Sequence, residues 1–329
     1  MIESIQFKNF KVLRHAELKL RPFNIIVGPN GSGKSTVFKA LEALKNPGQP
    51  AEFLRTVGVP QNLAVQVETK WSIADKQNVS LIAMWEANAF HITNNGKRVQ
   101  PHQVTHFFGS TQVFALDPAK TSATVQLQPN TLLTKDGANL AGALDNLRDI
   151  SEEAFEALKV ELRQWLPEFD SILFETPSPG QRSFKLRQSV SKQAIRSTDL
   201  SEGTLIALAL LYIAHNPSSP KVVCLEEPDR GLHPRLLRDL RDSLYRLSYP
   251  DQFGIKREPV QVIATTHSPY FLDLFKDHPE EIVIAEKQPD ATAKFKSLAD
   301  DKELMEIIGD APLGEVWYSG ILGGVPIRK

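Results

Sequence analysis

The sequence predicts an α/β protein that also carries an antiparallel β subdomain and a helical insertion. Three observations lead there. Residues 28–36 read Gly-Pro-Asn-Gly-Ser-Gly-Lys-Ser-Thr, a complete phosphate loop set between an apolar, β-branched segment (residues 23–27) and a helically spaced one (residues 37–44). Two further apolar strand segments each run straight into polar residues: Val222-Val223-Cys224-Leu225 into Glu226-Glu227-Pro228, and residues 260–264 into Thr265-Thr266-His267-Ser268-Pro269. Residues 2–27 alternate like the strands of a meander and residues 63–115 are β-rich, whereas the pattern turns helical around Gly137. The chain accordingly reads as one intergrown domain with an amino-terminal lobe (1–135), a helical region (136–215) and a carboxy-terminal lobe (216–329).

Taken in order, Ile2, Ile5 and Phe7, then Ala16, Leu18 and Leu20, alternate as a meander that feeds the strand before the loop. Asn94-Asn95-Gly96, between Phe90-His91-Ile92 and Val99, predicts a hairpin turn. Leu140, Ala143, Leu144 and Leu147 share one helix face, and a second helix runs from Glu152 to Trp165, stopped by Pro167. Phe184 and Leu186 alternate with Lys185 and Arg187 in a short strand, after which Leu200-Ser201-Glu202-Gly203-Thr204 opens an apolar helix ending near His215. A turn at residues 217–220 leads to the buried strand 222–225, an amphipathic helix spans 235–247, and strands follow at 260–264 and 282–285.

Composition narrows the class. Lysine plus arginine (38) nearly balance aspartate plus glutamate (39), which argues against a general polyanion-binding surface, though not a local one. The longest apolar run, residues 205–214, is about half of what a membrane span needs. The amino terminus has no basic head or apolar signal core, and a single cysteine, Cys224, excludes a disulfide framework and reads as a packed thiol. A cytoplasmic protein with no membrane attachment is the expectation.

Each motif has a chemical use. In the loop, Asn30, Gly31, Ser32, Gly33, Lys34, Ser35 and Thr36 are the nucleotide-binding candidates. Backbone N–H groups freed by the glycines curl around phosphates, Lys34 can reach the β- and γ-phosphates, and the Ser35 hydroxyl can sit on Mg²⁺. An apolar strand ending in two carboxylates complements that loop. Glu226 can hold the metal directly or through water, and Glu227 can orient and deprotonate the water that attacks the γ-phosphate. His267, at another strand end, can hydrogen-bond a γ-phosphate oxygen and tell ATP from ADP. Ser201 is an N-cap, and with Gly203 at a helix N-terminus it makes a second phosphate-binding surface that one chain cannot easily fold onto its own loop.

The ordered set GPNGSGKST, LSEGT, CLEEP and TTHSP resembles the ATP-binding-cassette ATPases, above all the soluble branch that includes RecF, SMC proteins and the small predicted ATPases (AAA family) related to the OLD nucleases. The opening Ile5-Gln6-Phe7-Lys8-Asn9-Phe10-Lys11, the acidic stretch from Glu226 to Pro234, and the ending from Leu313-Gly314-Glu315 to Gly323-Gly324 are similar to that branch as well. The resemblance implies an ABC-ATPase-like P-loop fold, ATP and Mg²⁺ as cofactors, and a head-to-tail homodimer. In it, ATP at Lys34 of one subunit is closed by Ser201 and Gly203 of the other, with Asp229 near the interface. It also implies work in DNA maintenance or defence against foreign DNA through an effector on another chain. The sequence departs from the pattern in using Glu226 where aspartate is usual, in carrying Thr204 where transporters often have glutamine, and in lacking a clear glutamine-loop residue, for which Gln61 and Gln66 are candidates.

Other signals weigh less. Arg182, Lys185, Arg187, Lys192 and Arg196, with no acid among residues 181–198, fit nucleic-acid phosphates, a triphosphate across the dimer, or a solvated strand face. Arg235, Arg238 and Arg241 are offset by Asp239 and Asp242. His91, His102 and His106 lack the cysteines or spaced carboxylates of a zinc site. Ile284-Ala285-Glu286 faintly resembles the opening of a Toprim nuclease, but is better read as the edge of the ATPase. The alternatives to a hydrolysing motor are an ATP-gated clamp or switch with slow hydrolysis that regulates a partner protein, and a transport ATPase subunit.

Overall fold

The structure is a computed structural model, and it describes every residue except 74–76, 87–88, 310 and 321–329. The Gly323-Gly324 ending therefore lies outside the described residues. In chain order, β1 (Ile2–Phe10), β2 (Leu13–Lys19) and β3 (Phe23–Val27) precede the phosphate loop and α1 (Lys34–Lys45). A short α2 (Ala51–Leu54) leads to β4 (Val65–Ile73), β5 (Gln77–Trp85), β6 (Phe90–Asn94), β7 (Lys97–Val99), α3 (Pro101–Gly109) and β8 (Thr111–Phe114). Next come α4 (Pro118–Thr121), β9 (Val125–Gln126), α5 (Leu140–Ile150), α6 (Glu152–Trp165), β10 (Phe169–Glu175), β11 (Gln181–Gln188), β12 (Ala194–Arg196) and α7 (Glu202–His215). The chain continues through β13 (Val222–Glu226), α8 (Leu236–Ser248), β14 (Gln261–Thr266), α9 (Pro269–Asp273), β15 (Ile282–Lys287), β16 (Ala293–Ser297), α10 (Lys302–Ile308) and α11 (Leu313–Tyr318). No described helix is long and apolar enough to cross a membrane.

Two compact units form. The first comprises Met1–Val113, Pro220–Cys224 and Pro259–Lys329, and the second Phe114–Ser219 and Leu225–Glu258. These bounds interleave along the chain instead of following three consecutive segments. β13 starts in the first unit, and its last two residues open a stretch of the second.

The first unit joins an antiparallel sheet, ordered β2-β1-β4-β5-β6-β7, to a mainly parallel one ordered β16-β15-β3-β14-β13-β8. All five residues of β3 are buried, and parallel neighbours β14 and β15 flank it, which is why four of the five are apolar. Its one polar residue, Asn24, is satisfied locally: it accepts from the Arg21 amide (2.8 Å) and donates to the Arg21 carbonyl (2.6 Å). The Asn95-Gly96 hairpin forms as read, with Asn94 opposite Lys97 and both turn residues at positive φ (48° and 79°). Residues 101–109, inside the stretch that reads as β-rich, are helical instead. Gln100 and Gln103 make a reciprocal capping box, Pro101 sits in the first turn, and Val104 and Phe108 are buried, Phe108 against Trp71.

Gln261 stitches the two sheets together. Fully buried at the start of β14, it accepts from the Ile2 amide (2.8 Å) and donates to the carbonyls of Ile2 (2.8 Å) and Arg21 (2.9 Å). Gln261→Leu strands one backbone donor and two acceptors away from water. The expected loss is about 3 kcal/mol in a denaturant titration.

In the second unit, β10, β11 and β12 form an antiparallel ladder that β9 joins at Gln126 opposite Gln181. α5 and α6 turn Leu144, Leu147, Phe155, Leu158 and Leu162 inward, and α7 is buried continuously from Thr204 to Ile213, as an all-round apolar helix requires. Glu161 of α6, buried among helices, ties three of them: it meets His215 Nε2 at 2.7 Å, the Trp165 indole at 3.2 Å, and Ser243 and Arg246 of α8. Burial alone would raise its pKa; the His215 and Ser243 hydrogen bonds and the Arg246 charge outweigh that and hold it at about 2. A lowered carboxylate pKa stabilises the fold above the unfolded value of 4.5 and ceases to do so as pH falls toward 2. Glu161→Gln is expected to lower stability by about 3 kcal/mol at pH 7 and to flatten the loss between those limits, read from urea midpoints across pH.

Candidate nucleotide-binding site

Strand register brings two motifs of the first unit to one sheet end. Val27, the last residue before the phosphate loop, lies opposite Thr266, the last before His267, in the parallel pair β3–β14. The loop and the histidine therefore leave neighbouring strands at the same level, on the carboxyl side of the strands where open α/β sheets bind ligands.

Close backbone approach shapes the loop. A Cβ on Gly28 would stand 2.3 Å from the Ala285 carbonyl of β15, so only glycine fits. Gly33, at φ 91°, N-caps α1 in a left-handed conformation, and the Thr36 amide closes the first turn on its carbonyl (3.0 Å). Lys34 is nearly buried, its ammonium donating to the carbonyls of Gly28 (2.8 Å) and Pro29 (3.0 Å). Asn30 and Gly31 form the exposed tip, Ser35 is half-buried, and Thr36 is buried. The Ser32 hydroxyl is wholly buried without a hydrogen-bond partner among the described residues. An orphaned hydroxyl, a buried ammonium and a helix N-terminus in one loop fit a phosphate group.

The acidic and signature motifs lie in the second unit. Glu226 ends β13, and Glu227 takes a left-handed backbone (φ 47°), a conformation that costs a non-glycine residue on the order of 1–3 kcal/mol and clusters at functional sites. The turn closes through the Arg230 amide on the Glu227 carbonyl (3.0 Å). Both glutamates line a cavity of about 530 Å³ together with Asp117, Glu202 and Arg230. Four of those lining residues are carboxylates, hard oxygen donors of the type Mg²⁺ prefers, but among the described residues no three His, Cys, Asp or Glu side chains are grouped to hold a metal ion by themselves. Ser201 caps α7 by accepting from the Thr204 amide (3.2 Å). Gly203 packs on the acidic turn itself: a Cβ there would stand 2.5 Å from the Gly231 carbonyl.

Asp117 escaped the sequence reading. It caps the four-residue α4, accepting from the Ala119 amide (3.0 Å), and an Asp-Pro pair following a short strand is the signal that marks it. Neither glutamine candidate lines that cavity. Gln61 is exposed in the loop before β4, and Gln66 sits within β4 opposite Lys8 and Met84. The basic stretch is largely paired internally: Arg182 with Asp145 (2.8 Å), Lys185 with Glu175 (2.5 Å), and Arg187 and Lys192 with Asp170 (2.7 and 2.6 Å).

Residues 91–273, more than half of the chain, match the family model described as "AAA domain, putative AbiEii toxin, Type IV TA system". The chain belongs to that family. Residues 1–100 of this AAA domain also match the model described as "AAA ATPase domain". An OLD nuclease of Thermus scotoductus (strain ATCC 700910 / SA-01) is 22% identical over 331 residues, covering 83% of this chain and 60% of the relative, so the AAA domain spans about three-fifths of that protein. Among solved structures, an SmcHead bound to the C-winged helix domain of ScpA superposes with a TM-score of 0.66 at 17% identity, covering 93% of this chain and 99% of that one. An Smc head domain with an extended coiled coil, bound to the C-terminal domain of ScpA, from Pyrococcus furiosus gives 0.63 at 15%, with the same coverage. The AAA domain thus has the ABC-type ATPase fold of SMC heads.

The Gly203–Gly231 contact makes a stability prediction. Gly203→Ala must push the acidic turn aside and is expected to lower stability by about 2 kcal/mol. Gly48→Ala, where a Cβ meets open space, should shift it by less than about 0.5 kcal/mol. Thermal melts of the two variants check the contrast.

Proposed function

We propose that this AAA domain binds ATP with Mg²⁺ and hydrolyses it within a head-to-tail homodimer, acting on DNA through a partner effector. The observation that carries the nucleotide reading is the β3–β14 register, which aligns the phosphate loop with His267 at one sheet end. In this reading the loop amides, Ser32 and Lys34 bind the phosphates. Ser35 and Glu226 would hold Mg²⁺, whose charge offsets that of the phosphate oxygens when bound. Glu227 takes the proton from the attacking water, and its fixed left-handed backbone limits how far the carboxylate can stray. His267 donates to the γ-phosphate. Ser201 and Gly203 meet the nucleotide of the partner subunit. The DNA step draws on the kinship with an OLD nuclease, a protein longer than this chain.

One observation favours a second reading, an ATP-gated switch with slow turnover: the basic stretch leading to Ser201 is taken up by internal ion pairs and leaves less charge for nucleic acid. Steady-state ATP hydrolysis by the wild type and Glu227→Gln, with and without double-stranded DNA and with mass followed by light scattering, separates the two. Glu227→Gln should lower turnover at least about a hundredfold and accumulate an ATP-bound dimer. A variant that stays monomeric with ATP rules out the dimer. Turnover raised by DNA supports the motor, and slow turnover indifferent to DNA supports the switch.

A further inference from the structure

The described part of the carboxy-terminal segment ends in α11, whose Leu313-Gly314-Glu315 motif the nucleotide reading leaves unused. α11 lies against α9, the short helix that opens at Pro269, two residues after His267. Their approach is backbone-close. A Cβ on Gly314 would stand 2.7 Å from both the Cβ and the carbonyl oxygen of Pro269. The Gly314 amide donates to Asp273 Oδ1 at 2.6 Å, which pins the start of α11 to the end of α9. Three residues further on, one turn along the helix, Trp317 brings its indole to 6.3 Å from the His267 imidazole, with the ring planes 43° apart. That separation is within the range where aromatic rings attract.

Trp317 is an odd choice for packing alone, because its Nε1–H is buried with no acceptor among the described residues. A stranded donor typically costs about 1–3 kcal/mol. Phenylalanine would fill the core side of α11 without that cost, but its smaller ring would not reach as far toward the imidazole. The same helix face holds Leu313 and Val316, both buried, so α11 is anchored without Trp317.

We infer that Trp317 is a positioning residue for His267: its indole limits the rotation of the imidazole, and α11 thereby belongs to the nucleotide-sensing apparatus. The inference rests on the reading that His267 meets the γ-phosphate. Asp273 and Gly314 set the distance between α9 and α11, and Trp317 converts that distance into a ring orientation. Misplacing a group that touches the reacting phosphate by a fraction of an ångström lowers turnover steeply while leaving ground-state binding nearly intact.

The test compares wild type, Trp317→Phe, His267→Gln and the double variant by ATP turnover, equilibrium ATP binding and thermal melting. Trp317→Phe should melt at or above the wild-type temperature, since it removes the stranded donor, and bind ATP within about twofold of wild type, yet turn over roughly tenfold more slowly. In the His267→Gln background the same change should have no further effect. Multiplicative losses in the double variant, or wild-type turnover in Trp317→Phe, overturn the inference. A wild-type rate in His267→Gln sinks the γ-phosphate reading instead, and tryptophan emission then decides on the pair itself. An imidazole beside an indole alters its emission, so the emission lost on Trp317→Phe should differ in yield or wavelength between the wild-type and His267→Gln backgrounds. Identical Trp317 emission in the two backgrounds overturns the proposed contact.

Discussion

The parallel pairing of β3 with β14 is the constraint on which the candidate nucleotide site depends. Register in a sheet is all-or-none: a slip by one residue would turn every side chain of a strand to the opposite face. Since all of β3 and β14 is buried, such a slip would drive Asn24 and Gln261 off their partners and break the apolar layers on both sides. The level at which the phosphate loop leaves the sheet, relative to His267, is thus fixed by packing far from any nucleotide. β15 adds a second fixed edge, because its Ala285 carbonyl leaves no room for a side chain at Gly28.

The second unit holds its chemistry by a different device. Its acidic turn is conformationally strained at Glu227 and braced from outside, with the Gly231 carbonyl seated where a Cβ of residue 203 would be. Such a turn persists only when its surroundings over-determine it. Here they are the capped start of α7 and the β13 strand end, while the Glu161 cluster fixes α6, α7 and α8 to one another. The start of α7 and the acidic turn are thus in backbone contact, Gly203 against the Gly231 carbonyl.

Much of this was legible in the residues. The phosphate loop, the strand-ending acids and the strand-ending histidine announce themselves through apolar runs that stop abruptly at polar residues, a pattern that buried parallel strands force on a sequence. α6 and the Asn95-Gly96 turn were readable from local chemistry, a stop at Pro167 and a pair of residues that tolerate positive φ. What stayed hidden depends on contacts between distant residues. α3 was masked by its apolar Val104, Phe107 and Phe108 and revealed only by the reciprocal Gln100–Gln103 cap. The pairing of Arg182 with Asp145, 37 residues away, turns an apparent basic patch into a set of internal ion pairs that no window along the chain could reveal. Asp117 joined the glutamates through three-dimensional proximity alone.

The central position of β3 also sets an order of assembly. It is complete by residue 27, yet its parallel neighbours, β14 and β15, begin at residues 261 and 282. A chain emerging from the ribosome must hold this strand, four of its five residues apolar, without its sheet partners while more than two hundred other residues are made, including the whole of the second unit. Contacts so distant in sequence close slowly and leave strand edges open meanwhile. The early meander of β1 and β2 and the later β4 and β5 can form before then, and they shelter part of the same core. The segment that carries the candidate phosphate loop is therefore made more than two hundred residues before the strands that lock it in place, which makes loss of β14 or β15 far more damaging to the candidate nucleotide site than their distance along the chain implies.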